Sequence, residues 1–345
     1  MNILITADPE IPVPPRLYGG IERIVEFLVQ GLVEKGHSVT LMAHRDSSVG
    51  CSKLLPYPGK ASRSSLDTLS NIYALIKETA TTQYDLIHSF GRLAYLTPVL
   101  PFNIPKLMSY QREPTLSGIV RAITISKRNT LFFTGCSEYI TSQIKPLAPA
   151  STVYNGVPIH RYNFQSKVSN DAPLVFLGRI EHIKGTHLAI DIAKKTGRRL
   201  IIAGNVPSDA VAQAYFAEKI APYIDDQPIQ YIGPVDDQQK NTLLGQASAF
   251  LMPILWDEPF GIVMAEAMAC GTPVLALRRG SVPEVIIDGV NGFTGTTSED
   301  LITAVGKITQ IERLNCRQVA EKKFSDQAIV SAYEQLYFKL INRSS

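Results

Sequence analysis

Short apolar runs alternate with segments that carry apolar residues at helical spacing, and the alternation runs the length of the chain. NILITA (2–7), SVTLMAH (38–44), DLIHSF (85–90), IPKLMSY (104–110) and NTLFFTGCS (129–137) each suit a buried strand. ERIVEFLVQGLVEKG (22–36) between the first two suits an amphipathic helix that stops at Gly36. Strand, helix, strand, helix demands a parallel sheet covered by helices on both faces, because a parallel connection must cross over. The chain is therefore expected to be α/β and doubly wound.

The pattern then starts again. YNGVPIHRYNFQSKVSNDA, between Val153 and Pro173, is polar and turn-rich and reads as a linker. Beyond it lie APLVFLGRI (172–180), a helix from about Lys184 to Thr196, and RLIIAGN (199–205). IQYIGPV (229–235), AFLMPIL (249–255) and TPVLALR (272–278) complete the second set of strands. A helix over 325–341 closes the chain, with Ser325 as its expected N-cap. At roughly 100–200 residues per domain, 345 residues fit two such domains.

Composition narrows the function. A net charge of +3 is too small for the basic stripe of a nucleic-acid binder, so no nucleic acid is expected as a partner. It permits contact with an anionic membrane surface without arguing for it. Cys51, Cys136, Cys270 and Cys316 are far apart and form no CxxC pair, so neither a zinc site nor a redox motif is expected. MNILITADPE lacks the basic and long apolar regions of a secretory signal, and no run of about 18 apolar residues occurs. The expectation is a cytoplasmic protein, with peripheral contact at the inner membrane face left open.

Open parallel sheets bind ligands beyond the carboxyl ends of their strands, so the residues after each strand are the candidates. After the first strand, Gly19 and Gly20 precede a helix, where bare amides suit an anion, although a simple turn explains them as well. Neither G-x-G-x-x-G nor a P-loop occurs there. His88 falls at the end of DLIHSF; a lone histidine is more often structural than catalytic. LGRIEHIKG sets Arg179 and Lys184 five residues apart, a fork and a point charge that suit phosphates, or equally a solvated basic turn.

The most informative stretch is WDEPFGIVMAEAMACGTPVLAL. From Pro259 to Leu277 one residue alone, Glu266, is charged. Burying an unpaired carboxylate costs several kcal/mol or forces protonation, roughly. Glu266 therefore needs a partner: a buried Arg or Lys, or a ligand. Glu258 is placed at the end of the preceding strand, and a helix from about Gly261 to Cys270 offers unpaired amides at its start.

Taken together these residues resemble the retaining glycosyltransferases of family four. EPFGIVMAEAMACGTPV is similar to that family's two-glutamate signature, and YGG, LGRIEHIKG, VYNGV (153–157) and GVNGF (289–293) are similar too. The resemblance implies the GT-B architecture of two facing Rossmann-like domains with a central cleft. It implies an acceptor-binding domain over 1–160, joined by a C-terminal helix at about 325–343 that packs back on it, and a nucleotide-sugar-binding domain over 170–324. Arg179 and Lys184 would bind the donor diphosphate, Glu266 the ribose hydroxyls and Glu258 the donor sugar. The amides of Phe260, Gly261 and Ile262 would hold sugar and phosphate oxygens. Val235, in the loop 233–235, would lie near the base, and Gly19 and Gly20 near the phosphates.

One departure stands out. Many members carry H-x-H where this chain has H-S-F, so Phe90 replaces the second histidine, and Arg112 and Glu113 become alternative acceptor-side candidates. The implied reaction moves a sugar from a nucleotide diphosphate, UDP foremost, to a saccharide, lipid-linked or small-molecule acceptor, as in polysaccharide or glycolipid synthesis. No cofactor and no metal are expected, since the acidic pairs at 225–226 and 236–237 read as helix ends. A nucleotide-sugar epimerase and a non-catalytic nucleotide-sugar-binding module are the competing readings.

Overall fold

A computed structural model describes residues 1–16, 19–225 and 227–344. Tyr18 of the YGG stretch and Asp226 of the pair 225–226 lie outside the described residues. The chain forms two compact units: Met1–Asn155 with Asp326–Ser345, and Gly156–Ser325.

The first unit holds seven parallel strands: β1 (Asn2–Thr6), β2 (Ser38–Ala43), β3 (Lys53–Pro56), β4 (Leu86–Ser89), β5 (Lys106–Tyr110), β6 (Leu131–Gly135) and β7 (Ala150–Thr152). Their order is β3-β2-β1-β4-β5-β6-β7. Ile3, Leu4 and Ile5 have no exposed surface, because helices cover both faces. The helix Asp326–Ser344 belongs to this unit. Lys35 and His37 meet its Glu334 at 2.7 and 2.9 Å, and Gly31 lies so close to Val330 that a Cβ there would be 2.7 Å from it.

The second unit repeats the design with β8 (Leu174–Leu177), β9 (Leu200–Ala203), β10 (Ile229–Tyr231), β11 (Ala249–Met252), β12 (Val274–Leu277) and β13 (Gly292–Gly295). Their order is β10-β9-β8-β11-β12-β13, again all parallel. Each sheet therefore reverses its order once, between β1 and β4 in the first and between β8 and β11 in the second. Loops diverge at that switch point and leave a crevice for ligands.

Two expectations need correction. The stretch read as a linker is instead a strap bound to the second unit. Gln165 N–H donates to Cys270 O at 3.0 Å, the buried Arg313 donates to Gln165 O at 2.7 Å, and Arg317 donates to Tyr162 O at 2.9 Å. Asp225 is not a helix end but a turn residue, accepting from the amides of Gln227 and Ile229.

Candidate active site

The second unit's switch point is built by the loops after β8 and β11. Gly185 joins them. Its φ is 75°, and a Cβ there would lie 1.9 Å from Pro253 O, so only glycine lets the two loops touch. Lys184, just before it, reaches across and donates to Glu258 Oε2 at 2.8 Å. Trp256 Nε1 donates to the same oxygen at 3.1 Å, and the Lys184 ammonium sits 4.7 Å from the Trp256 ring centroid. Glu258 is not at a strand end: β11 stops at Met252, and the carboxylate stands in the loop beyond. Arg179 pairs with Glu181 at 3.0 Å, its side chain 41% exposed.

The helix Ile262–Ala269 starts at Gly261, whose φ of 72° is left-handed and which has no side chain to cap the first turn. Ile262 is half-buried, while Phe260 is buried edge-on against Phe324 at 5.6 Å, so only its backbone can serve a ligand. Val235 follows β10, half-buried, one residue ahead of the Asp236–Gln239 capping box.

Of the two partners open to Glu266, a buried cation is the one present inside the protein. Lys240 Nζ meets Glu266 Oε1 at 2.5 Å and the Tyr162 hydroxyl donates to the same oxygen at 2.8 Å. Oε2 accepts no hydrogen bond among the described residues. Glu258 is held in the same way, through Oε2 alone. Each glutamate of the signature is thus fixed by one cation and one aromatic donor on one oxygen, and keeps the other free to accept. Lys240, Tyr162 and Trp256 escaped the sequence reading. Lys240 sits in a polar helix and Tyr162 in the strap, with nothing local to tie either to Glu266.

In the first unit His88, the catalytic candidate, is sealed within the sheet. It lies within β4, paired with Ile5 and Leu107, and has no exposed surface. Its Nδ1 and Nε2 contact the Tyr337 hydroxyl and Ser109 Oγ, each at 2.6 Å, and Phe90 packs on its ring at 4.2 Å. Burial holds its pKa down at about 3. A ring so enclosed can touch no acceptor.

Gly19 is the N-cap, and Gly20 the first residue, of the helix Gly20–Glu34. Arg112 and Glu113 follow β5 and are exposed, Glu113 accepting from the Tyr139 hydroxyl at 2.7 Å. Near Arg112 the structure adds two residues that sequence reasoning missed. Asp8 and Glu22 are carboxyls raised by burial, with Arg112 opposing the rise in both. Tyr57 and Tyr95 lie nearby in the fold, buried, with their rings 5.8 Å apart.

Among the described residues no three His, Cys, Asp or Glu side chains are grouped to hold a metal, and no helix is long and apolar enough to cross a membrane.

Comparison with known proteins fits this frame. The family described as glycosyl transferases group 1 matches residues 161–328, and glycosyltransferase family 4 matches residues 18–113. A glycogen synthase of Mycobacterium tuberculosis is 27% identical over 217 residues; the match takes in 58% of this chain, which spans about half (51%) of that relative. A sucrose-phosphate synthase from Thermosynechococcus elongatus superposes with a TM-score of 0.82 at 18% identity, covering 99% of both chains. Anabaena HepE, solved with UDP and glucose, superposes with a TM-score of 0.73 at 19% identity, covering 97% of this chain and 99% of that one. Fold and family together make the molecule a glycosyltransferase of the GT-B class. Within that class, the chain is similar to glycosyl transferases group 1 in its second unit and to glycosyltransferase family 4 in its first, each match spanning less than half of its length.

Proposed function

We propose that this chain takes a glycosyl group from a nucleotide-diphosphate sugar, UDP-sugars foremost, and passes it to an acceptor hydroxyl with retention of configuration and without a metal. The bond from the anomeric carbon to the diphosphate oxygen breaks, and a bond to the acceptor oxygen forms on the same face. The acceptor's proton leaves on the departing phosphate. The observation that carries this reading is the paired state of the two glutamates: each is fixed through one oxygen and open through the other, at the switch point and on the helix that follows it.

Glu266 Oε2 is assigned to the ribose hydroxyls and Glu258 Oε1 to hydroxyls of the donor sugar. Arg179 and Lys184 neutralise the charge that grows on the leaving diphosphate, the work a metal ion does in other sites. The bare amides after Gly261, and those at Gly19 and Gly20, suit phosphate or sugar oxygens. Val235 is assigned to the edge of the base. Arg112 and Glu113 are assigned to the acceptor, a saccharide, lipid-linked or small-molecule alcohol. The UDP preference draws support from HepE, which was solved with UDP.

Calorimetric titration of UDP, GDP, TDP and ADP in EDTA, against wild type and Glu266→Ala, tests the assignment. One nucleotide should bind clearly and weaken in the variant. Binding of none, or equal binding by the variant, would overturn it. The anomeric configuration of the product, read by NMR, tests retention.

A further inference from the structure

A groove of ≈490 Å³ lies in the first unit at the amino ends of β6 and β7, the opposite edge of the sheet from the strand ends where ligands of this fold sit. Ile123, Phe132 and Pro149 give it an apolar lining, and Lys127, Arg128 and Arg343 line it as well. A second hollow of ≈200 Å³ shares Phe132, Pro149 and Arg343 with it and adds Lys339. The four ionisable residues lining the pair are all cations, and no acid lines either hollow. None of the four has an ion-pair partner among the described residues. Many other cations of the chain do, as Lys35, Lys53, Lys145 and Lys195 show. Concentrated positive charge left unneutralised calls for an anionic partner.

Apolar surface runs into the same groove. In the helix Leu116–Ile125, six of ten residues are apolar, yet only Ile119 and Ala122 are buried. Leu116, Val120 and Ile123 fall at i, i+4 and i+7, one stripe of the helix, and the stripe ends at Ile123 in the groove lining. Leu116, Val120, Ile125 and, beside Pro149, Leu147 are 38–48% exposed. Arg121 lies among them on the helix surface. Exposed aliphatic side chains interleaved with free cations match a bilayer interface, where the chains enter the headgroup layer and the cations meet phosphates.

We infer that this face docks on an anionic phospholipid surface, with Lys127, Arg128, Lys339 and Arg343 on the headgroup phosphates and Ile125 and Leu147 in the interfacial layer. Such docking suits an acceptor that is itself lipid-linked. The inference stands independently of the nucleotide assignment, since it uses none of the residues placed on the donor.

The test is sedimentation of the full chain with vesicles of phosphatidylglycerol and phosphatidylcholine in equal parts, and with pure phosphatidylcholine vesicles. Wild type should pellet with the first and not the second, less so as salt rises. Lys127→Glu/Arg128→Glu/Arg343→Glu should lose at least about 100-fold in partitioning, at about fivefold per cation. Ile125→Ser/Leu147→Ser should also weaken it. An unchanged thermal unfolding midpoint shows that each variant is folded. Failure of wild type to pellet, or equal pelleting by the charge-reversal variant, would overturn the inference. So would binding that ignores Ile125 and Leu147 and is fully competed by heparin, which would assign the groove to a soluble polyanion.

Discussion

Lys240 and Glu266 stand 26 residues apart in the chain and meet at 2.5 Å, with the Tyr162 hydroxyl on the same carboxylate oxygen. The ammonium thus removes the main objection to a carboxylate inside a buried helix, and it does so without using the second oxygen.

Breaking this pair is expected to be costly. Both side chains are mostly buried, 14% and 8% exposed, so Lys240→Met leaves a charge without its partner. A loss of about 3 kcal/mol is expected, seen as a lower unfolding midpoint. Lys240→Met/Glu266→Gln should lose less than Lys240→Met alone, because no charge is stranded. An unaltered midpoint in Lys240→Met would show that the pair contributes nothing.

Lys184 is expected to act on turnover more than on stability. Lys184→Ala removes the cation from Glu258 and from the leaving group, and a fall in kcat of roughly 10²–10³-fold is expected. Trp256 is the chain's only tryptophan, so its fluorescence reports the same corner. Nucleotide titration should change that fluorescence in wild type and change it differently in Lys184→Ala. A variant with wild-type turnover would remove Lys184 from the leaving-group role.

His88 makes the first unit acid-sensitive. Its pKa falls from 6.5 in the unfolded chain to about 3 in the fold. Between these values the unfolded chain binds the proton and the folded one does not, so stability is full above pH 6.5 and lost as pH falls toward 3. The loss is on the order of 5 kcal/mol. His88→Gln, which keeps hydrogen-bonding capacity and does not titrate, should flatten unfolding midpoints over that window. A slope identical to wild type would place the sensitivity elsewhere. Nucleotide binding near neutral pH should be unaffected in the variant.

Gly185→Ala should damage the second unit. The added methyl would meet Pro253 O at 1.9 Å on a left-handed backbone, and a cost of at least about 2 kcal/mol is expected. Thermal unfolding reads the loss directly. Gly197 offers the control, since its φ of 63° is also left-handed but nothing lies within 4 Å of its Cβ position. Gly197→Ala should cost less.

Periodicity located ten of the thirteen strands among the described residues, and the three it missed share a physical cause. β3 and β7 are edge strands, short and half-exposed, and β13 is a four-residue edge strand with glycine at both ends. None buries enough to need an apolar run. The strap at 156–172 reads as a linker for a related reason. It is held by backbone hydrogen bonds and by Arg313 and Arg317, which impose no pattern on its own residues.

The sequence by itself determined the doubly wound class, its repetition, and the place of Glu266 in a buried helix, because burial and helix period act between near neighbours and leave a mark in local order. Tertiary structure alone decided what each polar group meets. Nothing near Glu266 in the chain announces Lys240, and nothing in DLIHSF shows that His88 lies sealed between Tyr337 and Ser109, 249 and 21 residues away. Hydrogen bonds and ion pairs act over about 3 Å in space and are indifferent to separation along the chain.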